Sequence, residues 1–286
     1  MANCLVTGHK GYIGSKLFAK LKQLGHSVYG IDVRSQEISE KLDIRWHLFD
    51  HEKNFNHLNF KPEYIFHLAA KPSVQWSVEN PSESLNHNVL GSSRVLEYAK
   101  IVGAKRVIFA SSAAAQMPSS PYGAHKRMTE TECKVYSSLY DIDTVSLRYF
   151  NVYSEDQKYG GAYSTVISAW LEKIRNNAPL RLDGDGTQTR DFIHVDDIVS
   201  ANIHCMNYRK DFNGEVYDFG TGHAHSLMEV KGYFDNIFDV IWDVQPERTG
   251  DIKNSVADTS KLDSLGWRAQ VDLKTGLRRC VASVTE

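Results

Sequence analysis

Nowhere in the 286 residues do apolar side chains run on for the ~20 positions that a membrane helix needs. No membrane partner is therefore expected. The segment after Met1 is apolar from the outset and carries no basic n-region, which predicts no signal peptide. Cysteine is scarce: Cys4, Cys133, Cys205 and Cys280 lie far apart and form no CxxC pair. That spacing argues against a zinc ribbon or a disulfide framework and for a reduced, cytoplasmic chain. Neither sign of charge prevails, with 33 Lys and Arg against 35 Asp and Glu and a formal net charge of -2. Nothing general draws the chain to nucleic acid or to an anionic surface, so any phosphate site must be local. Internal repeats and low-complexity tracts are also missing. Histidine is not scarce, at 12 residues, but His194 near Asp196 and Asp197 finds no third ligand at metal spacing, and no metal is expected.

What the chain does have is an ordinary globular mix, 42% hydrophobic and 24% charged, which predicts order throughout. Its first half alternates short β-branched or aromatic runs with longer amphipathic ones. The runs predict strands at 3–7, 27–32, 44–48, 64–69, 106–111 and 144–149, and helices over 12–24, 83–102 and 122–140. With right-handed crossovers, this pattern gives a doubly wound parallel α/β sheet. After Tyr149, turns at 159–161, 183–186 and 220–222 separate shorter elements and predict a second, smaller lobe over 151–286, with the first domain rejoined at about 192–208. Asp196 and Asp197 read as a helix N-cap after a strand ending at Val195.

Thr7-Gly8-His9-Lys10-Gly11-Tyr12-Ile13-Gly14 joins the first strand to the first helix. Gly8 permits the tight turn, Gly11 lets backbone amides approach a pyrophosphate, and Gly14 allows the helix to pack closely on the strand. A helix N-terminus there favours phosphate. Asp32 ends the second strand, near the ~20-residue offset at which an acid accepts from an adenosine ribose. A carboxylate at that place favours NAD over NADP, while Arg34 keeps the second cofactor open.

Tyr122 and Lys126 stand four residues apart, on one helix face. A phenol of ordinary pKa is a poor base at neutral pH, and a neighbouring ammonium favours its phenolate. Tyr122 would then take a proton from a substrate hydroxyl. Ser119-Ser120-Pro121 starts that helix, and Ser111-Ser112 ends the preceding strand, on the side of the sheet where doubly wound folds bind ligands.

Further motifs extend the series: His67-Leu68-Ala69-Ala70, Asn88-Val89-Leu90-Gly91, Arg148-Tyr149-Phe150-Asn151-Val152-Tyr153, the run from Gln188 through Arg190 to Asp197, and Arg248-Thr249-Gly250-Asp251. Over nearly its whole length, the chain resembles the nucleotide-sugar epimerase and dehydratase branch of the extended short-chain dehydrogenases/reductases, closest to UDP-glucose/UDP-N-acetylglucosamine 4-epimerases. The resemblance implies a Rossmann-type domain with a smaller C-terminal α/β substrate lobe, NAD as cofactor, and a nucleotide-sugar substrate. It implies Ser112, Tyr122 and Lys126 as catalytic residues. Gly8, Gly11, Tyr12, Ile13, Gly14, Asp32, Leu48, Leu68, Ala69, Ala70, Asn88 and Phe150 would line the cofactor with Tyr122 and Lys126. Asn151, Arg190, Arg248, Asp251 and Ser255 would hold the substrate with Ser112 and Tyr122. It also implies a homodimer in which the helices over 83–102 and 122–140 form a four-helix bundle.

Within that branch, the similar dehydratases carry Thr-Asp-Glu at the triad hydroxyl, and the similar uronate decarboxylases a glutamate beside it. Here Ser112 is followed by Ala113 and Ala114. Without the second acid and base, reversible oxidation remains, most naturally 4-epimerisation. In the 4-epimerase pattern, the residue four beyond the Arg-x-Gly-Asp aspartate sets the room for the 2-substituent. It is Ser255 here, and a small residue points to UDP-N-acetylglucosamine/galactosamine, with UDP-glucose/galactose beside it. A 4-keto reductase and a non-catalytic NAD-binding protein are the competing readings. The chain departs from the pattern in four places: only nine positions separate Ser112 from Tyr122, Ala115-Gln116-Met117 replaces the usual Val-Tyr-Gly, Ser154 replaces the usual glycine, and His47 with Leu48 stands where an adenine-side aspartate is usual.

Overall fold

The computed structural model describes residues 1–35, 43–44, 60–157, 165–247 and 252–285. Leu48, His47, Arg248, Asp251, the remainder of the strand expected at 44–48 and the turn at 159–161 lie outside the described residues.

In chain order the elements are β1 (Asn3–Thr7), α1 (Tyr12–Gln23), β2 (Ser27–Ile31), β3 (Asp43–Ile44), β4 (Tyr64–His67), α2 (Val74–Glu79), α3 (Pro81–Leu85), α4 (Gly91–Val102), β5 (Arg106–Ser112), α5 (Pro121–Leu139) and β6 (Asp143–Tyr149). There follow β7 (Asn151–Tyr153), α6 (Val166–Arg175), β8 (Leu180–Asp183), β9 (Thr189–His194), α7 (Val195–Asn207), β10 (Val216–Phe219), β11 (Ala224–Ser226), α8 (Leu227–Asp235), β12 (Trp242–Gln245), β13 (Asn254–Ser255), α9 (Leu262–Leu265) and α10 (Leu273–Thr285). The chain divides into two compact units, one of Met1–Arg148 with Val199–Tyr217, the other of Tyr149–Ile198 with Asp218–Glu286.

The first unit is built on a seven-stranded sheet of order β10-β6-β5-β4-β1-β2-β3, and the five strands from β3 to β5 pair in parallel. The reversal of strand order at β1 and β4 is the switch point at which such sheets bind ligands. Strand residues Leu5, Ile31, Ile65, Val107 and Phe109 pack with Val95, Leu96 and Ala99 of α4, all nearly fully buried. Each of the Val, Leu, Ile and Phe side chains among them stabilises by about 1.5–3 kcal/mol relative to exposure. The four cysteines are free and buried, and burial pushes their thiols up to about 12, so they pack as small apolar groups.

Three local expectations need correction. The stretch over 83–102 is not one α-helix, because a π-helical turn, Asn86–Leu90, separates α3 from α4. The strand expected over 64–69 ends at His67, and Leu68, Ala69 and Ala70 leave the sheet. The two departures share a cause. Asn88, inside the π turn, accepts from the Lys71 backbone N–H at 2.9 Å and donates to the Lys71 carbonyl at 3.2 Å, pulling the exit of β4 onto the widened turn. Third, β9 ends at His194 and α7 starts at Val195, so Asp196 and Asp197 lie inside its first turn and do not cap it. Asp197 accepts from the Gln270 and Val271 N–H groups at 2.9 and 3.0 Å, which tertiary contact outcompetes the cap.

Around its own core, the second unit packs Tyr153, Ile167, Trp170, Phe192, Phe234 and Leu277. There β9 pairs antiparallel with β11 and parallel with β7 and β13.

Candidate active site

Gly8 turns the chain out of β1 with φ +75°, and a Cβ on it would meet the Ala69 nitrogen at 2.7 Å. Only glycine fits both demands. The Gly11 N–H then donates to the Gly8 carbonyl at 2.8 Å, and α1 starts at Tyr12 and Ile13, with Gly14 buried beneath it. Gly11 is the N-cap, offers no side-chain acceptor, and no acid follows in the first turn. The positive end of α1 is thus not countered by the helix's own side chains, which suits a dinucleotide diphosphate.

Asp32, nearly buried, lies beside that turn. It accepts from the Lys10 N–H at 3.0 Å and the Arg34 N–H at 2.9 Å, with the Arg34 Nε at 3.4 Å. The acid expected at the ribose therefore also fixes the glycine turn. Ala69 donates from its N–H to Thr7 Oγ1 at 3.3 Å, and Leu68 donates to the Thr7 carbonyl at 3.2 Å, so Leu68, Ala69 and Ala70 run beside the end of β1. Asn88 reaches the same segment through its clamp on Lys71.

Behind these loops, His67 lies fully buried between Thr7 Oγ1 at 2.7 Å and Ser92 Oγ at 2.8 Å. Burial, helped by the charge of Lys126, pushes its imidazole down from 6.5 to about 3. A depressed histidine pKa means that the unfolded chain binds more protons between those two values. Stability is therefore expected to fall as pH drops from about 6.5 toward 3. Urea midpoints at about pH 7 and about pH 5 should differ less in His67→Gln than in the wild type; an equal difference would exclude His67 as a source of the acid sensitivity.

The catalytic candidates stand on β5 and α5. Ser112 ends β5 and caps a 3-10 turn, Ala113–Ala115, by accepting from the Ala114 N–H at 3.2 Å. The first turn of α5 packs onto that turn: a Cβ on Gly123 would overlap the Ala114 carbonyl oxygen, so glycine beside the tyrosine is what lets the two approach. Ser120 caps α5 by accepting from the Gly123 N–H at 3.2 Å, with Pro121 at the first helical position. Tyr122 is 7% exposed, and its N–H donates to Ser77 Oγ at 3.1 Å. Lys126 is buried and donates to the Ala110 carbonyl at 2.7 Å, with its Nζ 5.9 Å from the Tyr122 ring centroid. Burial brings its amine down from 10.5 to about 7, Glu130 opposing the fall.

Of the remaining candidates, all in the second unit, Phe150 is buried and donates from its backbone N–H to the Phe219 carbonyl at 3.2 Å. Asn151 donates from its amide to the Asp191 carbonyl at 3.2 Å. Arg190 donates to the carbonyls of Thr189 at 2.8 Å and Ile252 at 2.6 Å, and its Cα partner across the sheet is Ser255. Asp191, fully buried, accepts from the Thr221, Gly222 and Ala257 N–H groups and so ties β9 to the segment carrying Ser255. His194 sits between Glu155 and Asp196, and among the described residues no group of three His, Cys, Asp or Glu is placed to hold a metal. No helix among the described residues is long and apolar enough to cross a membrane.

The end of β5, which carries Ser112, and the first turns of α5, which carry Tyr122 and Lys126, pack together, and Asp32 lies beside the glycine turn. Sequence reasoning missed Ser77, Gly123, His67, Glu130 and Asp191. Glu130 had an available signal, its position one helical turn after Lys126, and His67 and Asp191 stood in motifs already singled out, without a role of their own.

Residues 4–220 match the model of a family described as the NAD dependent epimerase/dehydratase family. The chain is 34% identical to the putative UDP-glucose 4-epimerase of Methanocaldococcus jannaschii, over 97% of this chain and 96% of that one. Among solved structures it resembles UDP-glucose 4-epimerase of Thermotoga maritima with UDP-glucose, at 31% identity and a TM-score of 0.91, covering 99% and 98% of the two chains. It also resembles UDP-N-acetylglucosamine 4-epimerase of Methanobrevibacter ruminantium in complex with UDP-N-acetylmuramic acid, at 30% identity and a TM-score of 0.88, covering 99% and 97%.

Proposed function

The chain belongs to the NAD-dependent epimerase/dehydratase family, and from that membership we propose that it is a nucleotide-sugar 4-epimerase interconverting UDP-N-acetylglucosamine and UDP-N-acetylgalactosamine, with UDP-glucose and UDP-galactose as further substrates. Bound NAD would supply reversible hydride chemistry at sugar carbon 4. Gly8, Gly11 and the first residues of α1, Tyr12 and Ile13, would hold its diphosphate, and Asp32 would accept from its adenosine ribose. Tyr122 takes the proton of the 4-hydroxyl and later gives it back, Ser112 orients that hydroxyl, and Lys126 favours the phenolate. Asn151, Arg190 and Arg248 hold the nucleotide diphosphate side, and Asp251 accepts from a ribose hydroxyl.

The choice of sugar rests on Ser255, a small residue in register with Arg190. Incubating UDP-N-acetylglucosamine with the protein and catalytic NAD is expected to produce the anomeric proton signal of the galacto epimer without accumulation of reduced cofactor. Reduced cofactor consumed in proportion to product would instead make the enzyme a reductase. Ser255→Tyr is expected to lower turnover of the N-acetyl substrate at least about tenfold, the lower end for a contact of this kind, and to spare UDP-glucose. Equal loss on both substrates would remove Ser255 from substrate choice.

A homodimer through α4 and α5 belongs to the same reading. It is supported by exposed Ile101, Met128, Val135 and Leu139 on those helices. A monomer in sedimentation would overturn it.

A further inference from the structure

Behind Tyr122 and Lys126 lies a buried ionic group that the proposed reaction does not use. Glu130 stands one turn beyond Lys126 on α5 and is 3% exposed. Its carboxylate accepts from Arg148 Nε at 2.7 Å and Nη2 at 2.8 Å, and from Ser111 Oγ at 2.6 Å. Arg127, mostly exposed, adds a contact at 3.5 Å. Ser111 precedes Ser112 at the end of β5, and Arg148 stands on β6. One carboxylate thus joins the strand that carries the triad hydroxyl, the helix that carries tyrosine and lysine, and the next strand. So complete a set of partners for a buried charge is needed to hold it ionised. A packing role alone would be served as well by an apolar residue.

We propose that Glu130 is a positioning residue for the reaction: it holds α5 against the end of β5 and keeps the Lys126 amine in its cationic form. The inference rests on the reading of Tyr122 and Lys126 given above. The charged and titratable groups around Lys126 are Tyr122, His125, Glu130 and Cys133 on its own helix, His67 on β4, and Arg148 on β6 behind Glu130. His67 is held neutral by burial and Cys133 is a thiol pushed up to about 12, so Glu130, one helical turn along α5, is the carboxylate among them. Lys126 itself would otherwise lose its proton: it is buried, its amine is brought down to about 7, and Glu130 acts against that fall.

The sign follows directly. Removing the carboxylate lowers the Lys126 pKa further, so the cation is lost at lower pH. In Glu130→Gln, the alkaline limb of kcat/KM is expected to move down by about one pH unit, the lower end for a neighbouring opposite charge. Activity relative to wild type then falls about tenfold above the limb and stays level below it. Glu130→Asp should return the limb toward its original place. Because Gln opposite Arg148 leaves a buried cation unpaired, the double variant Glu130→Gln/Arg148→Gln provides a chain free of that cost, and the same downward shift is expected in it. A purely structural Glu130 would instead lower kcat at every pH and leave the limb where it was.

A second measurement is independent of turnover. In NAD-bound protein with isotope-labelled lysine, the Lys126 side-chain resonance, assigned against Lys126→Arg, should titrate at lower pH in both Gln variants. A protein that binds NAD and epimerises neither sugar overturns the functional reading alone. A Lys126 titration that stays in place in both variants overturns this inference alone.

Discussion

Tyr122→Phe is expected to slow epimerisation by about 10²–10⁴-fold, the range for a positioned general acid–base, while NAD binds with unchanged affinity. The substitution removes one oxygen and leaves the remaining supports of the ring intact. The N–H of residue 122 still donates to Ser77 Oγ, Ser120 still caps α5, and Gly123 still lets that helix meet the turn after Ser112. Folding should therefore hardly change. The loss should appear in kcat, since the phenol oxygen is needed where the proton moves and contributes little to holding the nucleotide. Discontinuous NMR assays over hours resolve such low rates, and NAD titration by intrinsic fluorescence checks the binding. Turnover above about a tenth of wild type would fall outside the general-base range and would place the proton transfer on another group.

The largest loss of stability is expected at Arg106, which takes no part in the chemistry. Its guanidinium is nearly buried, pairs with Asp143, and donates to the carbonyls of Cys205 at 2.6 Å, Tyr208 at 2.8 Å and Lys210 at 2.9 Å. Asp143 in turn accepts from the Phe212 and Asn213 N–H groups at 2.8 and 2.9 Å. The pair thus closes the C-terminal end of α7 and fastens the returning segment, Val199–Tyr217, to the first unit. Arg106→Met fills the volume but leaves Asp143 without its cation and the helix carbonyls without donors. It should cost about 3–5 kcal/mol, as when one partner of a buried pair is removed. Urea unfolding of the NAD-bound protein would measure it. A cost below about 1 kcal/mol, the worth of an exposed pair, would show that water replaces the guanidinium.

The parts legible in the sequence were those whose signal is local. The turn from Thr7 to Gly14 is a run of eight neighbours, and Tyr122 and Lys126 are spaced by one helical turn, so a regular backbone alone puts them together. Strand and helix order could be read because each element's apolar period is a short-range property. Where reading failed, distant residues decided. The pattern over 83–102 is helical throughout, yet it carries a π turn in which Asn88 bonds Lys71, far back in the chain. Asp197 has the composition of a cap, yet Gln270 and Val271 claim its carboxylate. Arg190 carries a charge suited to phosphate, and its hydrogen bonds to the Thr189 and Ile252 carbonyls are a matter of β9 and its neighbours.

By itself, the sequence determined the dinucleotide-binding fold and its cofactor, and it singled out Tyr122 and Lys126 as the candidate pair, because each is written in neighbours a few positions apart. Only the tertiary structure decided what holds that pair in place and in charge. Ser77, Ser111, Glu130 and Arg148 are spread over more than seventy residues of chain. Their hydrogen bonds and the burial that tunes Lys126 exist only once the sheet and its helices have closed around them.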